Sequence, residues 1–372
     1  MAPQSVPSFC RPWYDTINLI IGSDFRRPLM DTLTFGLIGC GHWGPNYARL
    51  LQTLPTCRLK RAVDLNPERL KALTLIYPGL EVGTDANALL QDPEIDAVIV
   101  ATPAGSHFEL VRQALQAGRH VLCEKPLSLD PVSCRELDQL ARQHQRTLMV
   151  GHTFLFNAGI RQLKQYLDEG LLGQLYYLHA TRTNLGPIRP DVNAVADLAS
   201  HDIAIFNYLL DALPLRASAQ GQSWLQPGIE DLAFMTLHYP AQVLAHAHVS
   251  WLNPVKVRQL TLVGSKKMVL WDDLNLAEPI RIYDVGVIQE PYYQDFGQFQ
   301  LLPRQGDTTL PRILLKEPLR QQVEAFVAAV HSETPHFSDA HFASGVAEVL
   351  KAVGASIQAQ GAPVGLDSAA QG

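Results

Sequence analysis

Short apolar runs alternate with helix-period stretches through the first 150 residues. Positions 34–38, 59–63, 97–101, 121–123 and 147–150 are dense in aliphatic and β-branched side chains and too short for buried helices. Between them the spacing of apolar residues predicts helices at 45–51, 67–75, 86–91, 106–117 and 131–144, the fourth stopping at Gly118. Strand and helix in strict alternation predict a parallel sheet. Beyond Gly151 the period changes. Segments 175–183, 243–251 and 257–263 alternate with period 2 and look antiparallel, helical patterns at 160–169 and 194–210 interrupt them, and two more follow at 319–330 and 341–358.

The first strand turns through Gly39-Cys40-Gly41-His42-Trp43-Gly44 directly into a helix. In such a G-x-G-x-x-G turn Gly39 takes the tight bend, Gly41 lets a pyrophosphate approach and Gly44 permits close helix packing. The helix N-terminus offers unpaired N–H groups to the anion. Twenty residues past Gly44 the second strand ends in Asp64, where a carboxylate meets an adenosine ribose. Thr102-Pro103 and Glu124-Lys125-Pro126 end the next strands, at the edge where ligands of open parallel sheets gather. The expected fold class is α/β. A Rossmann dinucleotide-binding domain over 32–151 precedes an α+β domain over 152–360 with a large, mostly antiparallel open sheet; 1–31 and 361–372 are expected to be a flexible extension and tail.

Composition narrows the chemistry. With 372 residues, 47% hydrophobic and 18% charged, the chain can bury a large core, and its net charge of -6 gives no basic field for nucleic acid. No apolar run approaches the ~20 residues a membrane span needs. Five cysteines without any C-x-x-C arrangement suggest neither a disulfide framework nor a zinc site and point to a reducing cytoplasm. No metal is expected: His246 and His248 share one strand face but lack an obvious third ligand.

Asp197 and His201 stand four apart on a predicted helix, about one turn, so carboxylate and imidazole could pair and tune a base near neutral pH. Taken alone, such a pair is more often a helix-surface ion pair. The segment before that helix carries Arg189, which could meet a diphosphate, and Asn193, which could cap the helix or bind a sugar hydroxyl; the loop is otherwise glycine-proline turn chemistry. His107, after the Thr102-Pro103 turn, could approach a cofactor or simply start a helix.

GCGHWG, GRHVLCEKPL around Lys125 and DLASHD together resemble the Gfo/Idh/MocA oxidoreductases over nearly the whole chain from about residue 34 to 358. The resemblance implies that Lys125, Asp197 and His201 meet at a nicotinamide. With the motif and loop readings above, the expected cofactor contacts are Gly39, Gly41, His42, Trp43, Gly44, Asp64, Thr102, Pro103, Glu124 and Lys125, and the expected substrate contacts are Lys125, Arg189, Asn193, Asp197 and His201. The resemblance also implies dimers or tetramers built on the second domain. The loop 184–194, with GCGHWGPN and VGHTFLFN, is similar to the branch acting on UDP-linked N-acetyl sugars, including UDP-N-acetylglucosamine 3-dehydrogenases. That branch implies oxidation at C3, often feeding an aminotransferase that makes amino sugars for surface glycans. Asp64 would accept from a ribose 2′-OH and repel a 2′-phosphate, so NAD is expected over NADP, with Arg69 the one nearby cation able to compensate. Other readings are a dehydrogenase of a UDP-sugar uronate, an inositol or an aldose, or an NAD-sensing binding protein without turnover.

Overall fold

The computed structural model describes residues 32–190, 192–289, 301–334 and 336–366. The expectation for residues 1–31 lies outside them. The first unit runs β1 (Leu33–Ile38), α1 (Gly44–Thr53), β2 (Cys57–Val63), α2 (Pro67–Ile76), β3 (Glu81–Gly83), α3 (Ala86–Leu90), β4 (Ala97–Val100), α4 (His107–Gln116), β5 (His120–Glu124), α5 (Pro131–Gln143) and β6 (Leu148–Gly151). All six strands pair in parallel in the order β3-β2-β1-β4-β5-β6. Crossover from β3 to β4 reverses the winding next to β1, which leaves a crevice at the carboxyl ends of β1 and β4. Helix starts follow local chemistry: Asn66, Asp85 and Asp130 each accept an N–H of the first turn of α2, α3 and α5.

The second unit contains α6 (Ala158–Asp168), β7 (Leu175–Thr183), α7 (Ser200–Leu210), β8 (Arg216–Gln222), β9 (Leu232–His238), β10 (Leu244–Ser250), β11 (Val257–Gly264), β12 (Met268–Asp272), β13 (Ile280–Tyr283), the hairpin β14 (Gly286–Gln289) and β15 (Leu301–Arg304), and β16 (Thr308–Thr309). Then come α8 (Pro318–Ser332), α9 (Ala340–Gln358) and β17 (Val364–Gly365). Nine strands form one sheet, β16-β13-β12-β11-β7-β10-β9-β8-β17. Alternate residues such as Leu178, Ala180, Ala245, Ala247, Leu260 and Leu262 are buried, and their neighbours face outward, as period 2 demands.

Two expectations are corrected here. β7 and β10 pair in parallel, Leu244 opposite Tyr177 through Ser250 opposite Thr183, because the helix α7 and the β8–β9 hairpin return the chain to the same side. The segment after residue 360 is not free at its start: Val364 and Gly365 add to the open edge of β8.

The C-terminal helices join the two units. Arg135 on α5 bonds Glu348 on α9 at 2.8 Å, and the Ser338 hydroxyl donates to the Val150 carbonyl at 2.7 Å. The four described cysteines, Cys40, Cys57, Cys123 and Cys134, are buried free thiols.

Candidate active site

The glycine turn is built as its spacing requires. Gly39 has φ of 98°, and a Cβ there would stand 2.6 Å from the Ala101 carbonyl oxygen; one on Gly44 would collide with the Gly39 carbonyl. A Cβ on Gly41 would meet nothing nearer than Arg69 Nη1 at 3.6 Å. Gly39 and Gly44 are therefore fixed by the protein's own packing, whereas Gly41 keeps open a space at the helix end. α1 begins without a side-chain cap, and Trp43 beside it is 40% exposed with the His42 ring against its edge. Asp64 reaches the same turn: its Oδ2 accepts from Cys40 N at 2.7 Å and lies 3.5 Å from Arg69 Nη1, while Oδ1 accepts from Asn66 N. An open turn, an uncapped helix and a carboxylate alongside suit a dinucleotide.

At the neighbouring strand ends His107 ties two loops together. Its Nδ1 lies 2.7 Å from the Pro126 carbonyl oxygen and its Nε2 2.8 Å from that of Thr102. Burial pushes this imidazole down, while both carbonyls pull it up. The residue serves the loops rather than the cleft. Thr102 Oγ1 also accepts from the Ser106 hydroxyl at 2.8 Å, and the Thr102 methyl stands against Gly39.

Lys125 and Asp197 are brought together from positions 72 residues apart. Lys125 Nζ donates to the Asp197 carbonyl oxygen at 2.8 Å and stands 3.7 Å from its Oδ1. Arg189 Nη1 approaches the same Oδ1 at 3.3 Å, and the indole N–H of Trp251 donates to Oδ2 at 3.2 Å. Burial pushes the Lys125 ammonium down, opposed by Asp197 and Glu124.

The helix carrying Asp197 is not regular. Val195–Ala199 forms one turn of π-helix before α7 begins at Ser200. Such turns widen the spacing and recur at functional sites. Among the described residues Asp197 and His201 make no hydrogen bond or ion pair with each other, which corrects the expected pairing: the carboxylate is drawn to Lys125, Arg189 and Trp251. His201 instead sets its ring against Phe154, centroids 4.8 Å apart. Phe154 lies under the Arg182 guanidinium at 4.3 Å, and Arg182 is bound by both oxygens of Asp202 at 2.8–3.0 Å. His201 is not tuned near neutral pH. Burial, then the cations Lys125, Arg182 and Arg258, hold it well below its usual value, which favours the neutral imidazole and weakens it as a base until a substrate or cofactor changes its surroundings.

Two expected contacts face elsewhere. Asn193 caps the π-turn, its Oδ1 accepting from Ala196 N at 2.8 Å, and its amide donates to Glu230 at 2.6 Å. Glu124 points inward, its oxygens accepting from the Tyr47 hydroxyl and Lys125 N. His246 stacks on His179, and no cluster among the described residues could hold a metal. Phe154, Arg182 and Trp251 escaped sequence reasoning; Arg182 in the buried strand register, beside an Asp at 202, was the one available signal.

Residues 33–152 match the oxidoreductase family with an NAD-binding Rossmann fold, and residues 160–270 match the GFO/IDH/MocA C-terminal domain. The chain belongs to the Gfo/Idh/MocA oxidoreductase family, and its first domain is that family's NAD-binding Rossmann fold. It is 28% identical to an inositol 2-dehydrogenase of Ralstonia nicotianae over 83% of this chain and 86% of that one. It is 30% identical to inositol 2-dehydrogenase 2 of Saccharopolyspora erythraea over 59% of this chain and 66% of that one. A UDP-N-acetylglucosamine 3-dehydrogenase from Acidithiobacillus ferrooxidans shares the fold with a TM-score of 0.73, at 23% identity over 89% of this chain and 99% of that one. Against the first curated relatives it matches, the chain spans 42% to 66% of their length. No helix among the described residues is long and apolar enough to cross a membrane.

Proposed function

We propose that this chain is an NAD-dependent dehydrogenase that oxidises a secondary hydroxyl of a nucleotide sugar, the 3-hydroxyl of UDP-N-acetylglucosamine being the preferred candidate. The meeting of Lys125 with Asp197 at the carboxyl ends of the parallel strands, with His201 within the field of Lys125, carries the reading. NAD bound along the Gly39–Gly44 turn and Asp64 would supply the hydride acceptor. Removing hydride from a carbinol carbon requires that its hydroxyl proton leave to a base and that the developing alkoxide meet a cation. His201 is the imidazole that would take the proton, once bound substrate and cofactor offset the burial that weakens it as a base. The Lys125 ammonium has three N–H donors and among the described residues makes one hydrogen bond, to the Asp197 carbonyl; the others can reach the substrate oxygen. Asp197 fixes Lys125, while Arg189 stands at the rim, 35% exposed, where a diphosphate would compete for it.

A cyclitol substrate is the second reading, favoured by the inositol dehydrogenases among the relatives and by the Arg189–Asp197 contact. Under either reading the domains divide near residue 151, a reducing cytoplasm suits the buried thiols, and a homo-oligomer remains part of the proposal; an aminotransferase acting on the keto product belongs to the first reading alone. NADH absorbance would be followed with UDP-N-acetylglucosamine, a UDP-uronate, myo-inositol and a free aldose, each with and without a keto-acid acceptor. Turnover of the UDP-sugar that depends on Arg189 supports the first reading; myo-inositol turnover indifferent to Arg189→Ala supports the second. Tight NADH binding with no turnover of any compound would favour the sensor.

A further inference from the structure

A buried chain of hydrogen bonds runs from the second unit to the strand end that carries Lys125. The Thr153 hydroxyl donates to Gln322 Oε1 at 2.8 Å, Gln322 Nε2 donates to the Tyr47 oxygen at 2.9 Å, and the Tyr47 hydroxyl donates to Glu124 Oε1 at 2.7 Å. Lys125 N closes it, donating to Glu124 Oε2 at 3.2 Å. Tyr47 and Gln322 are fully buried and Glu124 is 6% exposed. Four separate segments meet here: the turn after β6, α8, α1 and the end of β5.

The chain has a direction. A tyrosine hydroxyl has one proton, and with an amide N–H aimed at its oxygen that proton goes to Glu124, which then accepts at both oxygens as a carboxylate does. We propose that Glu124 is a positioning residue for Lys125: a buried anion, fixed through Tyr47 and Gln322, that keeps the lysine cationic where the substrate oxygen develops charge.

Two anions act on the Lys125 ammonium, Asp197 first and Glu124 second. Asp197 faces Lys125 from the π-turn but shares its carboxylate with Arg189 and Trp251. Arg189 and Arg182 oppose the ammonium, and His107, His152 and His201 all lie within its field. Around Glu124 stand Tyr47, the Cys123 thiol and Lys125, and Lys125 is the cation among them. Burial holds the Glu124 carboxyl above its usual value, and the Tyr47 bond, Lys125 and the Lys125 N–H work against that rise; the two accepted hydrogen bonds are what mark it as the carboxylate.

The inference rests on the proposed role of Lys125 at the reacting oxygen, so its test reads the lysine without turnover. Acylation of Lys125 by acetic anhydride, followed across pH by peptide mass spectrometry in the full chain, gives the pH at which it becomes nucleophilic. Glu124→Gln should lower that midpoint by about one pH unit, a tenfold change in the uncharged fraction at a fixed pH below it. Tyr47→Phe removes one donor to Glu124 and should move it the same way by less, with NAD affinity unchanged and the pH profile of kcat following. Tyr47→Phe keeps the ring and remains informative where Glu124→Gln fails to fold. A midpoint that stays put or rises in a folded variant overturns the proposal, whatever happens to the melting temperature. Full turnover in Lys125→Ala would overturn the functional reading instead, and with it the claim about the substrate oxygen.

Discussion

Trp251 holds Asp197: its indole N–H donates to Asp197 Oδ2 at 3.2 Å from one residue beyond β10, across 54 positions of sequence. Trp251 is 1% exposed, so its donor is fixed by packing and the carboxylate takes its orientation from the sheet. Lys125 and Arg189 then share the other oxygen.

Trp251→Phe keeps an aromatic ring and deletes that donor. The expected result is a fall of about tenfold in kcat/KM, roughly 1.4 kcal/mol, with NADH affinity by fluorescence titration unchanged. Wild-type turnover in this variant would mean that Lys125 and Arg189 orient Asp197 without the indole.

The glycines of the first turn should separate by readout. Gly41→Ala meets no atom nearer than 3.6 Å, so its melting temperature should stay near wild type while NADH binding weakens at least tenfold. Gly44→Ala collides with the Gly39 carbonyl and should lower the melting temperature itself. Unchanged NADH binding by Gly41→Ala would place the pyrophosphate elsewhere.

Cofactor choice hinges on Asp64 against Arg69. Arg69 Nη1 lies 3.5 Å from Asp64 Oδ2, so Asp64→Ser removes a repulsive carboxylate and leaves a cation ready for a 2′-phosphate. The NAD to NADP ratio of kcat/KM should shift by tenfold or more towards NADP. Asn66 should be left intact, since its side chain caps α2 through Glu68 N at 3.0 Å.

Acid should destabilise the chain through buried imidazoles. Burial pushes His152 down to about 3, and His120 and His336 to about 4. Once unfolded they protonate near 6.5, so below that pH the unfolded chain binds more protons. Stability is fully present above about pH 6.5 and falls as pH drops through 4 to 3. Both ring nitrogens of His152 are buried without a hydrogen-bond partner, so His152→Phe should flatten the decline in urea midpoint over this window. A slope equal to wild type would show that His152 already titrates normally.

Much of the frame was legible in the chain because its signals are local. The parallel strands announced themselves as short apolar runs, and the G-x-G-x-x-G spacing pointed to Gly39 and Gly44, although only Gly44 avoids a collision within the turn itself; Gly39 makes room for Ala101 just beyond β4. The Asp197–His201 pairing failed for a different reason. A regular helix was assumed where a π-turn stands, and a carboxylate follows the strongest donors near it, which here come from β5, the segment after β10 and a loop.

The same division runs through the whole protein. Sequence alone determined the order of elements, the glycine turn, Asp64 at the second strand end, and the family, since each depends on residues within a few turns of one another. Tertiary structure decided that β7 lies parallel to β10 and that Trp251 and Arg189 share Asp197. It also decided that Phe154 and Arg182 back His201, and that Gln322 reaches Tyr47 across 275 residues. Those contacts arise when two sheets and the returning C-terminal helices close on one cleft, and burial there sets the proton affinity of Lys125 and His201 in a way that no local pattern encodes.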